Sequence, residues 1–213
     1  MKPIITKTAR IHKGTLYIDG KPVMEDTTLA TYGDFIRAAY KFAEMSYPKF
    51  YKMDSPCKLA LVATELILKG NPVLERHGKE NIGLVIQNSS STLDTDTEFQ
   101  NTIDDRGNYF PSPAVFVYTL PNIMLGEICI RHKFFGENAL LLEPAFDAPS
   151  LTRHVELLFQ EEKVTACITG YVEQHGNEYD AFLYLAESGV SEEMGLCPHD
   201  ALEITNIYQY SSK

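Results

Sequence analysis

Ala139-Leu140-Leu141-Leu142-Glu143-Pro144-Ala145-Phe146-Asp147 decides how this chain is read. Ala139 to Leu142 is a continuous apolar run without alternation, which reads as a buried strand. The turn residues behind it lead to Asp147 or Ser150, either of which suits a helix N-cap. Leu151, Val155, Leu158 and Phe159 then recur at helical spacing and mark that helix's inner face.

The same strand-to-helix rhythm extends in both directions. Toward the N-terminus, Thr119 and Pro121 open a helix with Leu120, Ile123, Met124 and Ile128 inward, ending by Gly136. Asn108 to Pro113 is turn-rich, and the Thr95-x-x-Glu98 spacing is a capping box for a short helix reaching about Ile103. The run Ile82 to Ile86 reads as another strand buried on both faces. Ser55 as N-cap and Pro56 at the first helical position open a helix with Leu59, Val62, Ala63 and Leu66 on one face, ended by Gly70 and Pro72. Before it, Phe35, Ile36, Ala39, Phe42 and Ala43 recur at helical spacing, and Tyr47, Pro48, Phe50 and Tyr51 form an aromatic loop. Ile4 to Ile11 and Thr15 to Ile18 read as a hairpin around His12-Lys13-Gly14, with a second turn at Asp19-Gly20. Toward the C-terminus, strands Val164 to Glu173 and Tyr179 to Glu187 join around His175-Gly176-Asn177. Glu192 to Lys213 has no strong period and reads as a tail. Alternating strands and helices predict an α/β fold: a three-layer arrangement of mixed sheet with helices on its faces. No internal repeat or low-complexity linker interrupts the chain, so residues 1–213 read as a single domain.

Bulk properties narrow the function. The 213 residues suit one domain or one large half of a two-lobed fold. Nineteen basic against 29 acidic residues give a net charge of -10, which disfavours a nucleic-acid surface. No apolar run approaches the ~20 residues of a spanning helix, and the first residues lack the apolar core of a secretory signal. Cys57, Cys129, Cys167 and Cys197 form no Cys-x-x-Cys pair, which argues against a zinc site or a disulfide framework. A reducing cytoplasm is the expected location; neither a cofactor nor a metal is expected.

Several stretches, in order, carry a resemblance. They are Lys52-Met53-Asp54 before the capped helix ending Leu66-Ile67-Leu68, and Gly83-Leu84-Val85-Ile86-Gln87-Asn88-Ser89-Ser90 leading to Asp94-Thr95. Phe110-Pro111-Ser112-Pro113, Leu120-Pro121-Asn122, Gly126-Glu127-Ile128 and Phe135-Gly136-Glu137 follow. Over residues 52–187 the chain resembles the N-terminal half of β-ketoacyl synthases, which have a thiolase-like fold. The resemblance implies that the strand after Gly136 should end at a nucleophilic cysteine opening a helix, whose dipole would favour the thiolate. Counting along the motif puts Phe146 at or beside that position, and the nearest cysteines are Cys129 and Cys167. The family's two histidines and lysine lie in a C-terminal half that has no counterpart in this sequence. Without a thiolate and oxyanion donors, the family's 3-oxoacyl-[acyl-carrier-protein] synthase activity is not expected.

The resemblance therefore implies a catalytically inactive accessory subunit in fatty-acid, polyketide or aryl-polyene biosynthesis. Its expected association is as a homodimer, as a heterodimer with a full ketosynthase, or with acyl carrier protein. In that family the nucleophile-strand region pairs across the dimer's two-fold, and some synthases use an inactive partner called a chain-length factor. Two other classes stay open: a module that binds acyl chains or acyl carrier protein, and a small acyl-thioester hydrolase or transferase. The last needs a nucleophile and base in one pocket, and no such pair stands at motif spacing.

The residues singled out each have a plainer reading. Phe146 is either a tunnel plug or a core aromatic. Ser89, Ser90 and Ser91, with Thr92, either line a pocket shared with Phe146 or simply form a capped loop. Arg131, His132 and Lys133 form the compact basic cluster, able to dock an acidic carrier protein or to complement a helix C-terminus. Asp94, Asp96 and Glu98 suit a helix N-terminus better than a metal. Cys167 could in principle pair with His154 or His175, but it stands mid-strand among apolar residues, where a thiol is inert. Cys197-Pro198-His199-Asp200 carries too few strong ligands for zinc.

Overall fold

The computed structural model describes residues 2–29 and 31–210. Strand β1 (Ile4–His12) turns back into β2 (Thr15–Ile18), and β3 (Lys21–Glu25) follows. Both connections are two-residue turns with positive φ, Lys13 at 45° and Gly14 at 79°, then Asp19 at 50° and Gly20 at 73°. Such turns match the right-handed twist of the strands they join. Helix α1 (Tyr32–Phe42) is capped by Thr31, whose side chain accepts from the Asp34 N–H. The expected aromatic loop is instead a tight 3-10 turn, Pro48–Lys52, that buries Phe50.

Helix α2 (Ser55–Leu68) corrects two expectations. Its N-cap is Asp54, not Ser55; the Asp54 carboxylate accepts from the Cys57 N–H at 3.0 Å. Asp54 is the residue with extended backbone at this end, so its side chain reaches the third helical amide. The helix also buries Cys57, Leu61 and Ile67 outside the expected face, because α1 and the later helix over 123–132 pack on sides that the sheet leaves open. After the short α3 (Val73–His77) comes β4 (Ile82–Asn88), buried at every residue as expected.

Helix α4 (Leu93–Asn101) starts earlier than the Thr95-x-x-Glu98 spacing indicated, with Thr92 at its N-cap. Thr95 lies inside the helix and donates to Asp54 Oδ2 at 3.3 Å. Two short turns, α5 (Pro113–Phe116) among them, lead to α6 (Ile123–His132). Leu120 falls outside α6 and is exposed rather than inward, as is Phe42 at the end of α1. Strand β5 (Asn138–Leu142) is half-buried, not buried, because among the described residues it is the last strand of the sheet and pairs on one side alone.

Helix α7 (Ala148–Gln160), capped by Asp147 onto the Ser150 N–H at 2.8 Å, precedes the long hairpin β6 (Ala166–His175) and β7 (Glu178–Glu187). The supposed tail is structured through residue 210. Its short strand β8 (Cys197–Pro198) pairs with β1, and helix α8 (Ala201–Tyr210) packs on α7. It lacked a strong period because Ile204 alone in α8 is fully buried. The last expected tail residues, 211–213, lie outside the described residues.

The sheet runs β3-β2-β1-β7-β6-β4-β5. β4 is parallel to β5 and β6, and every other pairing is antiparallel. Alternating β7 residues feed two cores. Leu183 and Leu185 join the cluster under α1, α2 and α6, and Phe182, Tyr184 and Ala186 join the one under α7 and α8. This is the mixed three-layer arrangement expected from the strand and helix rhythm. Among the described residues no single helix is long and apolar enough to cross a membrane.

Candidate functional site

The carboxyl ends of β4, β5 and β6 bring together the serine loop and Phe146. Gln87 at the end of β4 fixes the 143–147 loop by two reciprocal bonds to Asp147, Nε2 to the carbonyl and Oε1 from the N–H, both 2.9 Å. The Ser89 hydroxyl donates to the Pro144 carbonyl at 3.2 Å. These bonds pin the loop on both sides of Phe146. Its ring packs 4.4 Å from Tyr208, 5.7 Å from Phe182 and 6.1 Å from Tyr171. Phe146 is thus one wall of an aromatic cluster beneath α8, with a cavity of about 460 Å³ alongside, lined by residues 143–149 and by Thr205, Tyr208 and Gln209.

The serine loop forms a nest of backbone donors, and the protein fills it itself. The N–H groups of Ser89 and Ser90 donate to Glu173 Oε2 at 2.7 and 3.1 Å, and Asn88 Nδ2 donates to the same oxygen at 3.2 Å. Asn88 Nδ2 also reaches the Val172 carbonyl at 2.7 Å, and its Oδ1 accepts from the Ser91 N–H. Ser91 has φ 53°, which turns successive amides toward one point. Glu173 therefore holds the position in which such donors would bind a ligand's anionic oxygen. Tyr171 lies beside it, its phenol pushed upward chiefly by burial.

Above this site, Arg10 is 2% exposed and spans the sheet to α8. It donates to Asp180 Oδ2 at 2.9 Å and to the Tyr208 carbonyl at 3.1 Å, with its guanidinium 3.9 Å from the Tyr208 ring centroid. The Tyr208 hydroxyl donates to the same Asp180 oxygen at 2.7 Å.

The other candidates are dispersed. Arg131 donates to Glu65 at 2.9 Å and stacks over Tyr47, and the His132 ring approaches Glu65 at 3.5 Å. Burial pushes His132 down to about 4. Lys133, in the left-handed C-cap of α6, is the exposed member of that trio. Asp94 holds the β6–β7 turn, accepting from the Gly176 N–H at 2.7 Å and facing His175 Nδ1 at 2.6 Å. Cys167 is fully buried, its thiol pushed up to about 12 by burial, and Cys197 is raised to about 11 for the same reason. His199 is fully buried, its Nε2 3.2 Å from the Tyr184 hydroxyl, and burial lowers it to about 4. Sequence reading missed Asn88, Glu173, Arg10 and Tyr208. Glu173 read only as a strand end and Asn88 only as part of the stretch carrying the resemblance, and no local signal marks a carboxylate 84 residues away as the partner of a serine amide.

No protein-family model matches the sequence, and no curated protein matches it. Solved structures do match. The ishigamide ketosynthase/chain length factor superposes with a TM-score of 0.64 at 16% identity, over 89% of this chain and 63% of that one. A ketosynthase in complex with its chain length factor from Xenorhabdus doucetiae gives 0.54 at 13% identity, over 99% and 92%. A β-ketoacyl synthase from Burkholderia phymatum STM815 gives 0.59 at 11% identity, over 87% and 59%. The chain thus spans less than two thirds of the first and third of these. The chain has the ketosynthase-like α/β fold of the thiolase type.

Proposed function

We propose that this protein is a non-condensing, ketosynthase-like accessory subunit of an acyl-chain synthase, of the fatty-acid, polyketide or aryl-polyene kind, and that it works by pairing with a ketosynthase. The observation that carries this reading is the β5–loop–α7 junction. There the fold presents a side chain at the carboxyl end of the sheet, and that side chain is the Phe146 phenyl, packed on Tyr208. A phenyl ring can neither carry an acyl group nor give up a proton. The adjacent amide nest, which could have received an oxyanion, is filled by Glu173.

Association is favoured by what the fold leaves open. β5 ends the sheet, with its outer backbone edge available for pairing and Leu142 57% exposed. Leu93, Tyr109, Phe110, Phe116, Val117 and Leu120 expose apolar surface along the α4–α5 excursion. Light scattering of the purified chain, alone and mixed with a full ketosynthase from the same source, tests the reading. A new 1:1 complex supports it. A chain that stays monomeric and ignores the ketosynthase refutes it. Mass spectrometry for co-purified acyl chains separates the alternative, an acyl-binding module, from a structural role.

A further inference from the structure

At the opposite end of the sheet, three side chains distant in sequence meet in a line. His77, the last residue of α3, places its Nε2 2.9 Å from Glu187 Oε1 and its Nδ1 2.9 Å from the Thr165 hydroxyl. Glu187, at the end of β7, is fully buried, whereas Thr165, just before β6, is exposed. The imidazole thus bridges a buried carboxylate and a solvent-facing hydroxyl. A cavity of about 510 Å³ opens here, lined by Arg76, His77, Asn81, Thr165 and residues 188–190.

The hydrogen-bond chemistry fixes the direction of the line. A carboxylate only accepts, so the neutral ring carries its proton on Nε2 and presents a lone pair at Nδ1. The Thr165 hydroxyl is then the donor to Nδ1. That is the arrangement of a hydroxyl nucleophile, a general base and a group that orients the base. Arg76 donates to Glu187 Oε1 through Nε at 3.0 Å and Nη2 at 2.6 Å. It neutralises the carboxylate, so Glu187 acts as a positioning residue that sets the ring's tautomer and angle. Arg76 also lines the cavity, where its guanidinium can meet a polarised carbonyl oxygen.

The backbone around the line is braced. The Thr165 N–H donates to the Asn81 carbonyl, the Ser188 N–H donates to the Thr165 carbonyl, and Asn81 Nδ2 donates to the His77 carbonyl, all at 2.9 Å. Three segments are thereby held in one geometry, which suits preorganised chemistry.

We propose that Thr165, His77 and Glu187 form a second site, at which the Thr165 hydroxyl takes an acyl group from an activated ester and passes it to water. In the first step a bond forms between Thr165 Oγ1 and the acyl carbon, and the bond from that carbon to the leaving group breaks. The hydroxyl proton moves to His77 Nδ1 and is delivered to the leaving group or to solvent. In the second step water attacks the acyl carbon as His77 Nδ1 takes its proton, the bond from that carbon to Thr165 Oγ1 breaks, and His77 returns the proton to Oγ1, which restores the hydroxyl and releases the carboxylic acid. The site stands apart from Phe146 and from β5, so it can fail without affecting the reading of the chain as a ketosynthase partner.

The test uses the full chain and p-nitrophenyl acetate. A burst of p-nitrophenolate is expected, with an acetyl adduct mapped to Thr165 by peptide mass spectrometry. Thr165→Val and His77→Gln should each slow the release by at least about 100-fold, the low end for losing a nucleophile–base pair. Thr165→Ser, which keeps a hydroxyl, should retain the adduct. Glu187→Gln should lower kcat without raising KM. Release no faster than in buffer, an adduct on another residue, or an unchanged rate in Thr165→Val or His77→Gln would overturn the proposal.

Discussion

The ring of Phe146 lies 4.4 Å from the ring of Tyr208, so the C-terminal helix α8 is closed over the loop that joins β5 to α7. Tyr208 also stacks under Arg10 and donates to Asp180, which ties three elements to one side chain. Tyr208→Ala removes all of these contacts at once. It is expected to lower stability by about 2 kcal/mol, combining a half-buried aromatic truncation with a lost cation–π contact. Urea unfolding checks this, and a change within error would show that α8 adds nothing to the fold.

Restoring a thiol at the junction should not restore condensation. Phe146→Cys is expected to give a free thiol without condensation product, because the strand-end histidines at that end of the sheet, His175 and His12, are turned toward Asp94 at 2.6 Å and Asp180 at 3.6 Å. A malonyl and acyl thioester assay read by mass spectrometry decides it. Product formation would refute the non-condensing reading.

Partner pairing through β5 predicts a separation of effects. Leu142→Lys changes an exposed residue and should alter folding stability by no more than about 0.5 kcal/mol. The same charge placed on the pairing edge should abolish the complex with a ketosynthase in light scattering. Unchanged complex formation would move the interface elsewhere.

Acid should weaken the fold through His199. Its folded pKa is lowered to about 4, chiefly by burial, from an unfolded value of about 6.5. Below the unfolded value the unfolded chain binds the extra proton, so stability is full above about pH 6.5 and falls as pH drops toward 4. The loss is on the order of 3 kcal/mol, because each tenfold difference in proton affinity is worth about 1.4 kcal/mol. Chemical denaturation across this range measures it. His199→Phe should lessen the slope over that range by about half, because His132 is also lowered to about 4 by burial and keeps its own share; an unaltered slope would assign the loss to other groups.

Gly136 stands where the backbone of Ile82 passes closely, and a Cβ there would lie 2.4 Å from the Ile82 carbonyl oxygen. Gly136→Ala must push β4 away from the start of β5. The expected cost is about 3 kcal/mol, at the upper end for overpacking. A thermal midpoint equal to that of the unmodified chain would refute this.

The sequence alone determined what depends on local pattern. The run Ile82 to Ile86 announced a strand buried on both faces, and the cap of α7 was narrowed to Asp147 or Ser150. Lys13-Gly14 and Asp19-Gly20 announced the turns of the first hairpins. These are short-range effects of burial, capping and positive φ, so neighbouring residues suffice to show them. The absence of a cysteine beside Phe146 was likewise plain in the chain.

Only the tertiary structure decided which surfaces meet. Ala139 to Leu142 looked like a core strand, yet it forms the sheet edge, because apolarity does not reveal whether another strand lies beyond. The tail folded into α8, because its one fully buried residue, Ile204, gives no period. Glu173 filled the serine nest, and His77 met Thr165 and Glu187 across 88 and 110 residues. Such contacts come from strand order and register, which place the ends of β4, β6 and β7 side by side, and no local spacing encodes that adjacency.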